Sequence, residues 1–292
     1  MTNDVSGSSA AAYSEQWDSI IGPQKGKFSL NLKEVWRYKD LLMLFVKKDI
    51  ITVYKQTVLG PIWFLLQPIM TTVIFTFIFG GVAKIQTDDI PKGIFYMGSL
   101  TMWNYFADTL NVTSKTFSDN ASVFGKVYFP RIILPISKVL SGFVKLCIQF
   151  SIFMVMWVYY TFVTHQIHPN MTLLLFPVLL LTLSLLSLGF GIIVTSLTTK
   201  YRDLAFLIGF GVQLWQYATP IIYPLSGQSP RTQFWLLLNP LTSIIEAFKY
   251  GFLGKGVFSP GWLCYSIVFT LVTLLSGIFV FNRVEKKFID TV

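Results

Sequence analysis

Residues 119–137 read DNASVFGKVYFPRIILPIS, a polar and basic segment that lies between two strongly apolar runs. From residue 114 to residue 138 the chain carries four Lys or Arg residues and a single acid, Asp119. Cytoplasmic loops of membrane proteins carry such an excess of Lys and Arg. The segment therefore predicts the main cytoplasmic loop of a membrane-embedded chain, and we expect another protein to bind it.

The composition excludes a soluble domain of this size. Apolar residues make up 53% of the 292 residues, charged residues only 13%, and the mean hydropathy is +0.59. The net charge of +9 is distributed between apolar runs rather than over a solvated basic domain, which argues against nucleic-acid binding. Residues 1–28 are rich in Ser, Ala and Gly and predict a flexible cytoplasmic tail. We predict an all-α integral membrane protein.

Six segments can cross a membrane. About 20 helical residues cover a hydrocarbon core of roughly 30 Å. Most of the 23 Lys and Arg residues lie in the N-terminal segment, the second and fourth loops and the C-terminal tail. Both termini are therefore predicted to be cytoplasmic. The predicted spans, within a transmembrane domain of residues 59–288, are residues 62–83, 94–113, 139–163, 172–197, 204–223 and 261–281.

Residues 29–58 predict an amphipathic helix at the membrane interface. Leu42, Val46, Ile50 and Val53 recur at helical spacing, and charged residues, most of them lysines, crowd the opposite face. A helix in a soluble core is the alternative.

Residues 224–260, between the fifth and sixth spans, are apolar but contain no segment long enough to cross. Asn239 and Pro240 form a plausible N-cap and first helical residue for a short helix. We predict a re-entrant external hairpin, packed in protein or lining a cavity. The alternative is an amphipathic helix lying flat on the external membrane surface.

A nucleotide site is not apparent in the sequence. The pattern G-x-x-x-x-G-K-[ST] does not occur, so any ATP hydrolysis is expected on a different chain, with no cofactor in this one. His165 and His168 lack a nearby carboxylate or thiolate, and we expect no metal site there.

Asp108 and Lys145 are ionisable residues inside predicted spans. Both lie five or six residues from the cytoplasmic end of their span, and this equal depth allows them to pair. We predict a structural ion pair, with a proton or substrate relay as the alternative.

Aromatic and amide side chains near the span ends predict a substrate path. Interfacial anchoring explains about half of the aromatic residues, and the others could stack on sugar rings while amides bond the sugar hydroxyls. The predicted path residues are Trp63, Gln67, Trp103, Tyr105, Gln213, Trp215, Tyr217 and Tyr223.

Four ordered motifs resemble the type-2 ABC transporter permeases that export lipid-linked polysaccharides such as O-antigen, teichoic acid and capsule. They are YKQTVLGPIW at 54–63 with QP at 67–68, VYFPRIILP at 127–135, YRDL at 201–204, and ATPIIYP at 218–224 with LNP at 238–240 and IEAF at 245–248. The similarity extends over roughly residues 31–288.

The resemblance implies a homodimer of six-span permeases joined to two copies of a separate ATPase subunit that binds MgATP. It places a coupling helix at about residues 120–129 of the cytoplasmic loop 114–138, and external gate helices within 224–260. The implied coupling residues are Asn120, Phe124, Lys126, Tyr128, Phe129, Pro130 and Arg131, and the gate residues are Asn239, Pro240, Glu246 and Phe248.

The resemblance also implies the function of the chain. We expect it to export an undecaprenyl-linked polysaccharide, with O-antigen as the polymer expected in view of the family, across the bacterial inner membrane. The chain would be a transport subunit and not itself an enzyme. The alternative is a membrane-embedded enzyme of lipid-linked sugar assembly, which would require clustered carboxylates or histidines at one membrane face. A passive channel is a third alternative, but it would not need an elaborate cytoplasmic loop.

Overall fold

The computed structural model describes residues 32–55, 62–120, 129–198 and 203–289, and within these ranges every regular element is helical. The helices are α1 (Leu32–Arg37), α2 (Lys39–Lys55), α3 (Ile62–Phe75, extended by a π-helical segment Thr76–Val82), α4 (Lys92–Ser114), α5 (Thr116–Asp119), α6 (Ile133–Val158, extended by Tyr159–Val163), α7 (Phe176–Thr198, preceded by a 3-10 turn Met171–Leu175), α8 (Leu204–Tyr217), α9 (Pro230–Leu237), α10 (Pro240–Leu253) and α11 (Pro260–Ile289).

Four helical segments are long and apolar enough to cross a membrane. They are Ile62–Val82, Ile133–Val163, Met171–Thr198 and Pro260–Val284. The two other predicted spans correspond to α4, which has 23 residues but a more polar sequence, and to α8, which has 14 residues. The all-helical membrane class is confirmed for the described residues, and the count of six spans stays a prediction.

The fifth predicted span is shorter than expected. We predicted a helix over residues 204–223, whereas α8 ends at Tyr217 and residues 218–223 form turns. Pro220 explains the early end, because proline has no N–H to continue the helix and disfavours helical geometry at the preceding Thr219. At about 1.5 Å per residue, α8 is only about 21 Å long.

Helix α4 lies in the centre of the bundle and is buried over most of its length. It packs against α6 and α7, and α7 packs closely on α11. Glycines permit this close packing: a Cβ atom on Gly189 would lie 3.0 Å from Leu274 Cα, and one on Gly191 would lie 2.5 Å from the Thr113 side chain. The central packing therefore depends on small residues, as is common between membrane helices.

Helix α2 packs on α6 through the face that we predicted to contact the membrane. Phe45 and Val46 are buried, and Leu42 packs beside Phe45. The exposed stripe on the other side of α1 and α2 contains Trp36, Met43, Leu44 and Ile51. This exposed side also carries Lys47 and Lys48, so periodicity identifies the apolar face of α2 but not whether protein or membrane covers it.

Residues 224–260 contain two helices, as the hairpin prediction required, and α10 is the more deeply packed. Every residue of α10 except Tyr250 is buried. Asn239 is its N-cap and accepts a hydrogen bond from the Leu241 N–H at 3.1 Å. A helix lying flat on a membrane would leave one whole face exposed, so the alternative of a flat surface helix does not describe α10. Its entry into the membrane stays a prediction.

Candidate coupling and transport sites

The N-terminal end of the 114–138 loop packs against α7 and α11. Phe117 packs in a cluster with Ile132, Ile192 and Phe281, and the ring centroids of Phe117 and Phe281 are 5.4 Å apart. The Thr198 hydroxyl donates a hydrogen bond to the Ser114 carbonyl at 3.0 Å. Movement of this end would therefore be transmitted to two of the membrane-length helices.

The C-terminal end of the loop packs against α2. Phe129 is 5% exposed, and its ring centroid lies 5.8 Å from that of Phe45. Ile133 and Leu134, at the start of α6, complete this apolar cluster. The two ends of the loop thus contact different helices, although Ile132 also reaches the cluster around Phe117.

The predicted coupling residues differ in their accessibility. The resemblance implied that Phe129 is a coupling residue, but Phe129 is buried within this chain because α2 covers it. Asn120 is also buried and donates a hydrogen bond to the Thr116 carbonyl at 2.9 Å. Pro130 and Arg131 are partly exposed. Phe124, Lys126 and Tyr128 lie outside the described residues.

Asp108 of α4 and Lys145 of α6 form an ion pair. Lys145 Nζ lies 2.5 Å from Asp108 Oδ2, and it is also 5.9 Å from the centroid of the Phe64 ring of α3. Lys145 therefore contacts two other helices at one point. This geometry agrees with the structural role that we predicted, whereas a relay role stays an alternative.

We expect Asp108→Asn and Lys145→Met each to lower the free energy of unfolding by about 0.5 to 2 kcal/mol, because polar contacts between membrane helices contribute about this much. The double variant should be more active in the predicted export than the worse single variant, because it leaves neither charge unpaired. Lys84→Met, at an exposed lysine outside the loop, is a matched control. If both single variants and the double variant abolish export equally, the relay interpretation is favoured.

Seven of the eight predicted substrate-path residues form two separate sets, and the eighth, Tyr223, is partly buried in the turn after α8. Trp63, Gln67, Gln213 and Tyr217 are exposed on the outer sides of α3 and α8. They are available to a ligand or to another chain.

The second set lies in the core. Trp103 is 3% exposed, and the Tyr105 hydroxyl is hydrogen-bonded to that of Ser184 at 2.7 Å. Trp215 is partly buried between the rings of Phe106 and Phe190, each at a centroid distance of 5.4 Å. Trp103 and Tyr105 therefore pack in the core of the single chain, because α4 is central and not at the edge of the bundle, and their path role stays a prediction.

An apolar groove separates α8 from α4 and α7. Its volume is about 480 Å³, and Leu110, Phe190, Val212 and Trp215 contribute to its lining. Of the residues of α8, all of which the structure describes, only Val212 is buried. This helix is therefore more weakly packed than the four membrane-length helices.

The predicted gate residue Glu246 belongs to a buried ion pair that sequence reasoning missed. Lys249 Nζ lies 2.5 Å from Glu246 Oε1, and each side chain is 1% exposed. Lys249 also donates a hydrogen bond to the Pro220 carbonyl at 2.8 Å and lies 4.6 Å from the centroid of the Phe95 ring. The second Glu246 oxygen accepts from the Val257 N–H at 3.0 Å. The pair thus joins α10 to the turn after α8, to α4 and to the segment before α11.

The other predicted gate residues are also held in place. The Asn239 side-chain amide donates to the Thr219 hydroxyl at 2.9 Å, which is a second contact between α10 and the turn after α8. Pro240 is buried at the first position of α10. Phe248 is buried, and its ring centroid lies 5.3 Å from that of Phe153 and 4.7 Å from that of Phe252. The hairpin is therefore joined to the bundle by both polar and aromatic contacts.

The membrane-length helices and the anchored basic loop define a multi-pass membrane protein. Residues 40–253 match the family model described as ABC-2 type transporter, and the chain belongs to this family. The resemblance found in the sequence motifs is thereby confirmed.

Several curated proteins are similar to this chain over most of their length. The O-antigen export system permease protein RfbA of Klebsiella pneumoniae is 28% identical over 254 residues, which cover 86% of this chain and 94% of that protein. The protein of the same name from Myxococcus xanthus is 26% identical over 222 residues, covering 75% and 82%. The polysialic acid transport protein KpsM of Escherichia coli is 24% identical over 253 residues, covering 84% and 93%.

Proposed function

We propose that this chain is the permease subunit of an ATP-driven exporter that moves an undecaprenyl-linked polysaccharide, with O-antigen as the expected polymer, across the bacterial inner membrane. It acts as a homodimer bound to two copies of an ATPase subunit, which holds MgATP. Both termini are cytoplasmic, and six spans cross the membrane. The names of the relatives as O-antigen and polysialic acid transporters support the substrate class.

The observation that carries this proposal is the anchoring of the 114–138 loop. Phe117 at one end packs against α7 and α11, and Phe129 at the other end packs against α2. A loop that only connected two spans would not need buried aromatic residues at both ends. A partner that binds the loop can move the helices, because packed interfaces transmit displacement.

The outer surfaces of α3 and α8 support a path between two copies of the chain. Gln213 and Tyr217 are exposed on α8, and Trp63 and Gln67 are exposed on α3. Amides and aromatic rings of this kind suit a polysaccharide, whereas the apolar groove beside α8 suits a hydrocarbon chain. A substrate that combines a glycan with a lipid would use both surfaces.

Reconstitution with the ATPase subunit in proteoliposomes tests the function directly. We expect ATP-dependent transfer of lipid-linked polysaccharide across the bilayer, measured by lectin binding on the far side, and no ATP hydrolysis by this chain alone. ATP hydrolysis by the purified chain, or transfer without the ATPase subunit, would contradict the proposal.

Arg131→Glu tests the role of the loop. We expect export to fall at least tenfold, because the substitution reverses a charge beside the region that the ATPase subunit is proposed to bind, while membrane insertion persists. Arg231→Glu, on exposed α9 far along the chain from the loop, is the matched control. Normal binding of the ATPase subunit together with normal export by Arg131→Glu would exclude this role.

A further inference from the structure

We infer that Asp49 is a positioning residue that makes the interface helix α2 move together with the start of α6. This inference rests on the proposed function, because it describes how movement of the 114–138 loop reaches another part of the permease. It assigns to α2 a role in transmission in addition to its location beside the membrane.

The carboxylate of Asp49 contacts two residues of α6. Its Oδ1 atom lies 2.7 Å from Lys138 Nζ, and its Oδ2 atom lies 3.2 Å from the Ser141 hydroxyl, whose single hydrogen is shared with the Ser137 carbonyl at 2.8 Å. The side chains of Lys138 and Asp49 are 16% and 23% exposed, so surrounding groups partly shield this pair from screening. Asp49 is therefore held by both of its oxygens.

An apolar contact lies one turn earlier on α2. Phe45 packs against Phe129, Ile133 and Leu134, and Ile133 and Leu134 are almost completely buried. The same side of α2 thus makes an apolar contact and an ionic contact with consecutive turns of α6. Two such contacts in series resist tilting of α2 away from α6.

The ionic contact of Asp49 adds a directional restraint that the apolar contact of Phe45 does not provide. Apolar packing is non-directional, so Phe45 alone would allow α2 to rotate or slide. Lys138 and Ser141 are three residues apart and lie on one face of α6. A carboxylate that bonds both of them fixes the rotation and the axial position of α2.

The contact between Asp49 and Lys138 lies at the C-terminal end of the 114–138 loop. Lys138 is the last residue of the 114–138 loop, and Phe129 precedes α6 by four residues. A displacement of this end of the loop therefore moves Phe129, Lys138 and α2 as one body. The exposed stripe of Trp36, Met43 and Leu44 then shifts relative to its surroundings.

The functional test compares the amount of polysaccharide exported per ATP hydrolysed. For Asp49→Asn, which keeps the shape but removes the charge, we expect this ratio to fall about tenfold while the ATPase subunit still binds. The charge-exchanged variant Asp49→Lys/Lys138→Asp should recover part of the ratio. Asp40→Asn, an exposed carboxylate on the same helix, is the matched control and should not change it. An unchanged ratio in Asp49→Asn would overturn the inference.

A distance measurement tests the same inference without relying on export. Spin labels are placed on Cys147 of α6 and on Leu44→Cys of α2, in a Cys264→Ser background and diluted with unlabelled protein. We expect one narrow distance that is the same without nucleotide and with ATP and the ATPase subunit, and a broad distribution in Asp49→Asn. A shift of several ångströms with nucleotide in the protein that retains Asp49 would overturn the inference. Absence of export by the parent protein would instead refute the proposed function.

Discussion

Replacement of Lys249 by Met is expected to lower the free energy of unfolding by about 3 to 5 kcal/mol, because it leaves the Glu246 carboxylate charged and unpaired in the core. Both side chains are 1% exposed, and the ammonium group also bonds the Pro220 carbonyl. The substitution also removes one of the polar contacts between α10 and the turn after α8, while the Asn239–Thr219 contact remains. Reversible unfolding of the purified protein in mixed micelles, with SDS as the denaturant, measures the change.

Two further variants isolate the cause of this loss. The double variant Glu246→Gln/Lys249→Met removes both charges and should be more stable than Lys249→Met alone, since burying a neutral amide costs less than burying a charge. Lys255→Met, at an exposed lysine of the same segment, should change stability by no more than about 0.5 kcal/mol. Equal losses for Lys249→Met and Lys255→Met would exclude the buried pair as the cause.

Replacement of Gly254 by Ala should destabilise the protein by about 2 to 6 kcal/mol, through backbone strain and overpacking together. Gly254 ends α10 with a φ of +73°, and a Cβ atom there would lie 2.2 Å from the His168 carbonyl oxygen. The segment before α7 cannot easily move away, because the Asn170 N–H bonds the Gly251 carbonyl at 3.1 Å. The same unfolding measurement in mixed micelles detects the loss.

Gly209 provides the control for this glycine substitution. Apart from its own helical turn, no atom of the described residues lies within 4 Å of the position that a Cβ on Gly209 would occupy, and this residue is inside the helix α8. Gly209→Ala should therefore be neutral or stabilise by up to about 1 kcal/mol through helix propensity. A similar loss for the two alanine variants would contradict the assigned role of Gly254.

The features that the sequence predicts well are those that depend on composition and local pattern. Long apolar runs predict helices of membrane length, and four such helices are present. The N-cap of α10 follows from the Asn239-Pro240 pair, because capping is a local interaction. The contact between Asp108 and Lys145 was also predicted, because the two residues lie at equal depth in neighbouring spans.

The amino-acid sequence does not predict the features that depend on which face of a helix packs against which neighbouring helix. Periodicity identifies an apolar face on α2 but not the neighbour that covers it, so the docking of Phe45 on α6 could not be predicted. Trp103 and Tyr105 are amphipathic, and such residues fit a core or a water-filled path equally well. The burial of Lys249 was not predicted, because a single lysine in a segment that is predicted to be external suggests a solvated position. The i, i+3 spacing of Glu246 and Lys249 was the one available signal.

The close packing of α7 on α11 has a consequence for biogenesis. A Cβ on Gly277 would lie 2.8 Å from the Gly189 carbonyl, so these two helices meet backbone to backbone, yet 88 residues separate the two glycines. At about 5 to 20 residues per second, a ribosome needs on the order of 4 to 18 s to make that segment. During this interval α7 has α4 beside it, through Gly191 and Thr113 and through the Tyr105–Ser184 hydrogen bond. We expect α4 and α7 to associate in the membrane first, and the last helix to complete the bundle after synthesis.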